Sequence, residues 1–171
     1  MARKNEPNLD RSGIDRILSE EEVGFLALRG DEYPYCIPLS YAFLDGRIVI
    51  HCALEGFKLD CIRADPRCCF TVSRGLDPVR PHQAQGRCDY RFESMVAIGR
   101  ARVVEDITER LDLLRRFKDH FYRRLGLDPD GDPVSIEAAR RCGCIVIEID
   151  GVTGRRKGTI EPSPLPGASE P

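Results

Sequence analysis

The sequence predicts an α+β fold, mainly β, built on an antiparallel sheet. Three observations carry this. Short apolar runs recur between turn signals: Val23 to Leu28, Tyr35 to Leu44, Arg47 to Ala53 and Cys68 to Ser73. Asp45-Gly46 stands between two of them as a strong two-residue hairpin signal. The one long stretch of helical periodicity, Ile107 to Leu125, comes late, so the strands follow one another in hairpins instead of alternating with helices. Several such strands can close into a small barrel.

Residues 1–13 are polar and expected to fray, which leaves 14–157 as the folded domain. Ser19 to Glu22, a hydroxyl followed three residues later by a carboxylate, reads as a capping box and predicts the start of a short helix. The strand Val23 to Leu28 follows, then a turn at Gly30-Asp31 and a second strand, Tyr35 to Leu44. Pro38 within it cannot donate a ladder hydrogen bond, which implies an edge position, a bulge, or backbone turned toward something else. After the hairpin and a third strand, Phe57, Cys61 and Ile62 fall at helical spacing, and Pro66 helps end that helix before the strand at Cys68.

Arg74 to Arg91 is rich in Gly, Pro and Arg and too long for a routine connection; such a loop is either disordered or covers a site. Phe92 to Glu105 predicts a long strand, bent at Gly99. Asp106 with Glu109 repeats the capping pattern, and Ile107, Leu111, Leu114, Phe117, Phe121 and Leu125 recur three or four apart, with Gly126 as C-cap. Ser135 to Arg141 is a shorter helix before a last strand, Cys144 to Asp150. The tail 158–171 holds four prolines and little to bury, and disorder is expected there.

Composition narrows the function. A chain of 171 residues can bury a core without a disulfide or metal staple. With 26 basic and 28 acidic side chains there is no basic excess of the kind nucleic-acid binding requires. No apolar run approaches the roughly 18 residues of a membrane span, and Met1 to Asp10 is too polar for a signal peptide, so a cytoplasmic protein is expected. The eight cysteines lack paired zinc-ligand spacing and sit mostly in apolar runs, where Cys acts as a small hydrophobe. There is no Gly-x-Ser-x-Gly, no His-Glu-x-x-His among His51, His82 and His120, and no glycine pattern of a nucleotide fold.

One local cluster stands out. His51-Cys52-Ala53 ends a strand, and Gly56-Phe57-Lys58 opens a helix. Amides at a helix N-terminus together with a lysine suit a phosphate or another anion, although the same residues also read as a surface lysine beside a strand-end histidine. In Ile37-Pro38-Leu39-Ser40-Tyr41 a proline and two hydroxyls interrupt an apolar strand, as when backbone faces a ligand. Glu93 and Ser94 open a strand beside the long loop, where Ser94 equally reads as a turn residue.

In this order these residues form a resemblance. Tyr35-x-x-Pro38-Leu39-Ser40-Tyr41 precedes Asp45-Gly46-x-Ile48-x-Ile50-His51-x-Ala53-x-x-Gly56-x-Lys58-Leu59-Asp60-x-Ile62-Arg63. Cys88, Phe92-Glu93-Ser94, Gly99-Arg100-Ala101, Val104 and the closing Ile147 to Gly158 follow. The pattern, from Ile14 to Gly158, resembles the FMN-binding split-barrel proteins of the pyridoxamine 5'-phosphate oxidase-like group, in their nitroimidazole-reductase (5-nitroimidazole antibiotic resistance) branch. The His-x-Ala-x-x-Gly-x-Lys block is its specific part.

The resemblance implies a six-stranded antiparallel split β-barrel with flanking helices, a homodimer, and FMN in a groove between subunits. Lys58 and Ser94 would contact the phosphate, Ile37 to Tyr41 would offer backbone to the isoalloxazine ring, and His51, Cys52 and Ala53 would line the same groove. Glu93 is a further contact, and His51 would face substrate as the catalytic residue. Phe92, Met95 and Cys52 depart from the tyrosine, valine and smaller hydroxyl residue common in that branch. The expected activity is flavin-dependent electron transfer from a nicotinamide donor, NAD(P)H, to a small organic acceptor such as a nitro-aromatic. The rival readings are a non-catalytic flavin or haem binding or sensing protein with His51 or His82 as axial ligand, a thiol sensor, and a deazaflavin in place of FMN.

Overall fold

Alternating apolar residues and hairpin turns build one seven-stranded antiparallel sheet in the computed structural model, which describes residues 9–78 and 90–157. Its strands are β1 (Val23–Leu28), β2 (Tyr35–Ser40), β3 (Ala42–Leu44), β4 (Arg47–Cys52), β5 (Arg67–Pro78), β6 (Tyr90–Val103) and β7 (Gly143–Lys157). The helices are α1 (Arg11–Glu20), α2 (Phe57–Ala64), α3 (Ile107–Arg124) and α4 (Ile136–Arg141). The strand order β2-β1-β5-β6-β7-β4-β3 puts β2 and β3 at opposite edges, yet Tyr41 alone separates them in the chain. The sheet therefore curls until its edges meet, which is a split barrel. No helix among the described residues is long and apolar enough to cross a membrane.

The strand count is seven because the expected single strand Tyr35 to Leu44 breaks at Tyr41. That side chain turns into the barrel, fully buried and edge-on to Phe70 at 5.0 Å, and its amide donates to the Glu22 carbonyl at 3.1 Å. Pro38 lies on an edge strand, where its missing N–H costs no ladder bond.

Two cores result. Inside the barrel, Leu26, Ile48, Ile50, Phe70, Met95 and Ile147 pack together, closed at one end by α1 through Ile14, Ile17 and Leu18. Outside it, α3 lays Leu113 and Phe117 over Ala42, Val49, Cys144 and Val146. This second cover buries both faces of β7 from Gly143 to Ile147. A register shift between Ile98 and Gly99 leaves Asp150 unpaired and bends β6 against β7 where Gly99 predicted it. A Cβ at Gly99 would collide with the Glu148 carbonyl, so only glycine permits that approach.

Three expectations are corrected. The capping box at Ser19 is not a helix start: α1 begins at Arg11, with Asp10 accepting from the Gly13 amide at 2.8 Å, and ends at Glu20. Ser19 instead donates to the Asp15 carbonyl at 2.7 Å. The burial of Ile14, Ile17 and Leu18 against the barrel outweighs the local cap signal. For the same reason the N-terminus is ordered from Leu9, whose amide bonds Gly154 at 3.0 Å, while residues 1–8 lie outside those described. The long loop is also shorter than predicted. Arg74 pairs with Glu93, Asp77 with Arg91 and Pro78 with Tyr90, so β5 and β6 extend as a hairpin. Residues 79–89, including His82 and Cys88, and the expected disordered tail 158–171 lie outside the described residues.

Candidate functional site

At the barrel end opposite α1, β4 ends, α2 begins and β2 starts. Tyr35 of β2 packs edge-on to Phe57 of α2, 5.0 Å between ring centres. Gly56 precedes the helix at φ 134°, a conformation that disfavours any side chain, and a Cβ there would meet nothing within 4 Å. No side chain caps α2, so the first amides of the helix face outward with Lys58 beside them. The Lys58 ammonium lies close enough to oppose burial, which nonetheless raises the Cys52 thiol above its ordinary pKa.

Backbone is available along the same opening. Among the described residues β2 has a ladder partner on one side alone, β1, so Cys36 to Ser40 present an edge with no strand beside it there. β3 pairs with β4 at Arg47 to Val49, so among the described residues the other edge of Ile50, His51 and Cys52 has no strand beside it. These edges flank the split. The start of β2, the end of β4 and the uncapped start of α2 with Lys58 thus lie at one end of the barrel, where amides and a lysine suit an anion.

Of the predicted site residues, Ile37, Pro38, Leu39 and Ser40 lie on β2, His51 and Cys52 end β4, Ala53 follows it and Lys58 stands in the first turn of α2. Their side chains divide by strand parity: Ile37, Leu39 and Cys52 pack on the barrel core, whereas Pro38, Ser40, His51 and Ala53 are exposed. His51 leaves the barrel on the α3 side, edge-on to Phe117 at 4.9 Å. Spacing offered no hint of that neighbour, because Phe117 read only as a core position of α3.

Tyr41, Glu93 and Ser94 lie elsewhere. Tyr41 sits at the far end of β2, with its ring in the core and its amide occupied. Glu93 is 1% exposed and turns inward among three arginines: Arg16 at 2.9 Å, Arg74 at 2.9 Å and Arg156 at 2.7 Å. Burial pushes its pKa up, but these hydrogen bonds and charges prevail and hold the carboxyl below its usual range. Glu93 therefore joins α1, β5 and β7 through its carboxylate. Ser94 pairs with Ser73 and Arg155 on the outward face, near α1. The connection that follows α2 meets β6 at its other end, where the Ala101 amide donates to the Pro66 carbonyl, so Ser94 and α2 stand at opposite ends of the barrel.

Among the described residues, part of the outer sheet is uncovered. Val23, Phe25, Val96 and Ile98 are 39–55% exposed and stand on the same face as Ser94. Phe25 neighbours Pro38 and Thr71 in register, and Thr71 neighbours Val96, so the patch crosses β2, β1, β5 and β6 without a break.

Over residues 10–156 the sequence matches the family model described as pyridoxamine 5'-phosphate oxidase. The fold is similar to that of a Bacteroides thetaiotaomicron protein provisionally named for 5-nitroimidazole antibiotic resistance, at 22% identity and TM-score 0.71, covering 91% of this chain and 94% of that one. It is also similar to the FAD and heme binding protein of Mycobacterium smegmatis, at 18% identity and TM-score 0.73 over 90% and 75% of the two chains. A FAD-binding protein of Mesorhizobium loti gives 21% identity and TM-score 0.66 over 90% and 99%. At such identities the likeness is one of fold. Comparison with curated proteins gives no sequence match.

Proposed function

The chain belongs to the pyridoxamine 5'-phosphate oxidase family, and from that premise we propose that it is an FMN-dependent oxidoreductase working as a homodimer. One observation carries this reading: the uncapped start of α2 with Lys58, the free edge of β2 and the end of β4 with His51 meet at a single split. The groove fits the cofactor on its own chemistry. Lys58 and the Gly56 to Lys58 amides would take the phosphate, and the open backbone of Ile37 to Ser40 would take the polar edge of the ring system. FMN supplies the redox chemistry when bound, accepting electrons from a nicotinamide and passing them to a small organic acceptor such as a nitro-aromatic.

The protein's own residues do the rest. Lys58 neutralises phosphate charge, and β2 orients the ring system. Leu54 and Phe57, both more than 40% exposed, offer apolar cover next to the anion site. His51, on a rigid strand and steadied by Phe117, donates a proton to the reduced acceptor. Ser94 lies on the uncovered face at the other barrel end, so it would reach the phosphate only from a second subunit. The reading therefore includes the dimer, with the patch around Phe25 and Ile98 as its contact.

The test begins with a visible absorption spectrum of the purified protein and identification of any chromophore it releases. FMN is expected, or uptake of added FMN by apoprotein. Lys58→Ala should weaken FMN affinity by roughly tenfold or more, the scale of a lost charge-assisted hydrogen bond. A Soret band, or a folded protein that takes up no flavin, would refute the proposal.

A further inference from the structure

Behind His51, on the side of β4 away from the barrel interior, α3 and the Val134 to Cys142 segment enclose a cleft of about 360 Å³. Leu114, Phe117 and Phe121 form one wall, and Val134 and Ala138 the other. The polar groups at its margin are already engaged, with one exception. Lys118 is 2.9 Å from Asp132 and lies over the Tyr122 ring, 4.4 Å from its centre. The Tyr122 hydroxyl is 3.2 Å from the same carboxylate. The Cys142 thiol donates to the Cys52 and Gly143 carbonyls, each at 3.5 Å. The exception is His51, whose ring nitrogens have no hydrogen-bond partner among the described residues.

We propose that this cleft binds neutral, flat aromatic or quinone-type molecules that present one oxygen to His51. Three arguments fix the ligand class. The walls are apolar and the ammonium at the margin, Lys118, is ion-paired with Asp132, so a charged ligand would lose hydration and have to compete with that pair. The volume lies at the small end of the roughly 300–1,000 Å³ typical of ligand pockets, which suits one or two fused rings and excludes a second nucleotide. Phe117 and Phe121, 4.9 Å apart and tilted by 40°, offer ring edges and faces to an aromatic guest. That the guest is the electron acceptor rests on the flavin reading; that the cleft binds it does not.

The experiment uses menadione as a neutral bicyclic probe and 1,4-naphthoquinone-2-sulfonate as its charged counterpart, titrated into the full-length protein. Methyl NMR signals of Leu114, Val134 and Ala138 report on the cleft, and FMN affinity is measured separately by fluorescence quenching. Menadione should shift those methyls and bind roughly tenfold or more tightly than the sulfonate. Ala138→Phe and Val134→Phe fill the cleft from the wall facing α3. Each should weaken menadione by roughly tenfold or more while FMN affinity and the core methyls of Ile50 and Ile145 stay unchanged. Unaltered menadione binding in both variants would overturn the proposal, as would equal affinity for the sulfonate. Loss of FMN together with menadione in the folded variants would overturn a cleft separate from the flavin groove. If wild-type protein binds no flavin but loses menadione in both variants, the cleft stands and the flavin reading falls.

Discussion

His51 and Lys58 lie seven residues apart in the chain, in different surroundings: Lys58 at an uncapped helix start, His51 on the outer face of β4 against Phe117. In the function proposed above, Lys58 acts on binding and His51 on proton supply. His51→Ala should therefore retain FMN and lower turnover by about 10²- to 10⁴-fold, the range for a general acid. Steady-state rates on flavin-loaded protein check this, and unchanged turnover would remove His51 from the mechanism. The strand end and helix start that carry them were legible in the sequence because the His-x-Ala-x-x-Gly-x-Lys spacing is local. Glu93 was not, since its arginine partners lie 77, 19 and 63 residues away and no spacing rule reaches them. The thiols follow their surroundings in the same way: burial pushes Cys68 up to about 11 and Cys144 up to about 12. Thiols held so far above neutrality favour packing over redox sensing.

Among the elements, the contrast between β7 and β1 is informative. β7 is buried on both faces from Gly143 to Ile147 because α3 covers its outer side, whereas Val23 and Phe25 of β1 are about half exposed among the described residues. An uncovered apolar face on a mixed-charge protein marks an interaction surface. Phe25→Asp combined with Ile98→Asp should leave the monomer folded, since both positions are already in water. In a dimer each new carboxylate would be buried at a cost of several kcal/mol. If the proposed dimer uses this face, sedimentation should then show monomer in place of dimer, with FMN affinity falling as well. A dimer that survives both charges would exclude this face as the contact. The strands themselves were readable from alternation and Asp45-Gly46, but the Ser19 cap signal misled. Capping competes with burial of a helix face, and burial is the larger contribution.

At the level of the whole molecule, two sets of groups link folding to pH. His120 is held below its ordinary pKa, first by burial and then by Arg124, with Glu22 opposing. Its lowered folded pKa means that the unfolded chain binds the extra proton, so stability is full above about pH 6.5 and falls as pH drops through that value. Glu93 and Glu109 are also depressed in the folded state, so their contribution is present above about pH 4.3 and is lost as pH falls through their folded values. Thermal unfolding followed from about pH 7 to pH 3 should therefore decline in two legs, and His120→Gln should flatten the first while leaving the second. A first leg that survives in His120→Gln would assign it to another group. Local signals in the chain determined the strands, the hairpin, the long helix with its Asp106 cap, and the block that holds His51 and Lys58, because each depends on neighbours a few residues away. Closure of the sheet determined the rest: the break at Tyr41, the burial of Glu93, the separation of Ser94 from Lys58, and the cleft behind His51. Those features depend on which distant segments share a face or an end of the barrel, and that relation exists only once the sheet has curled.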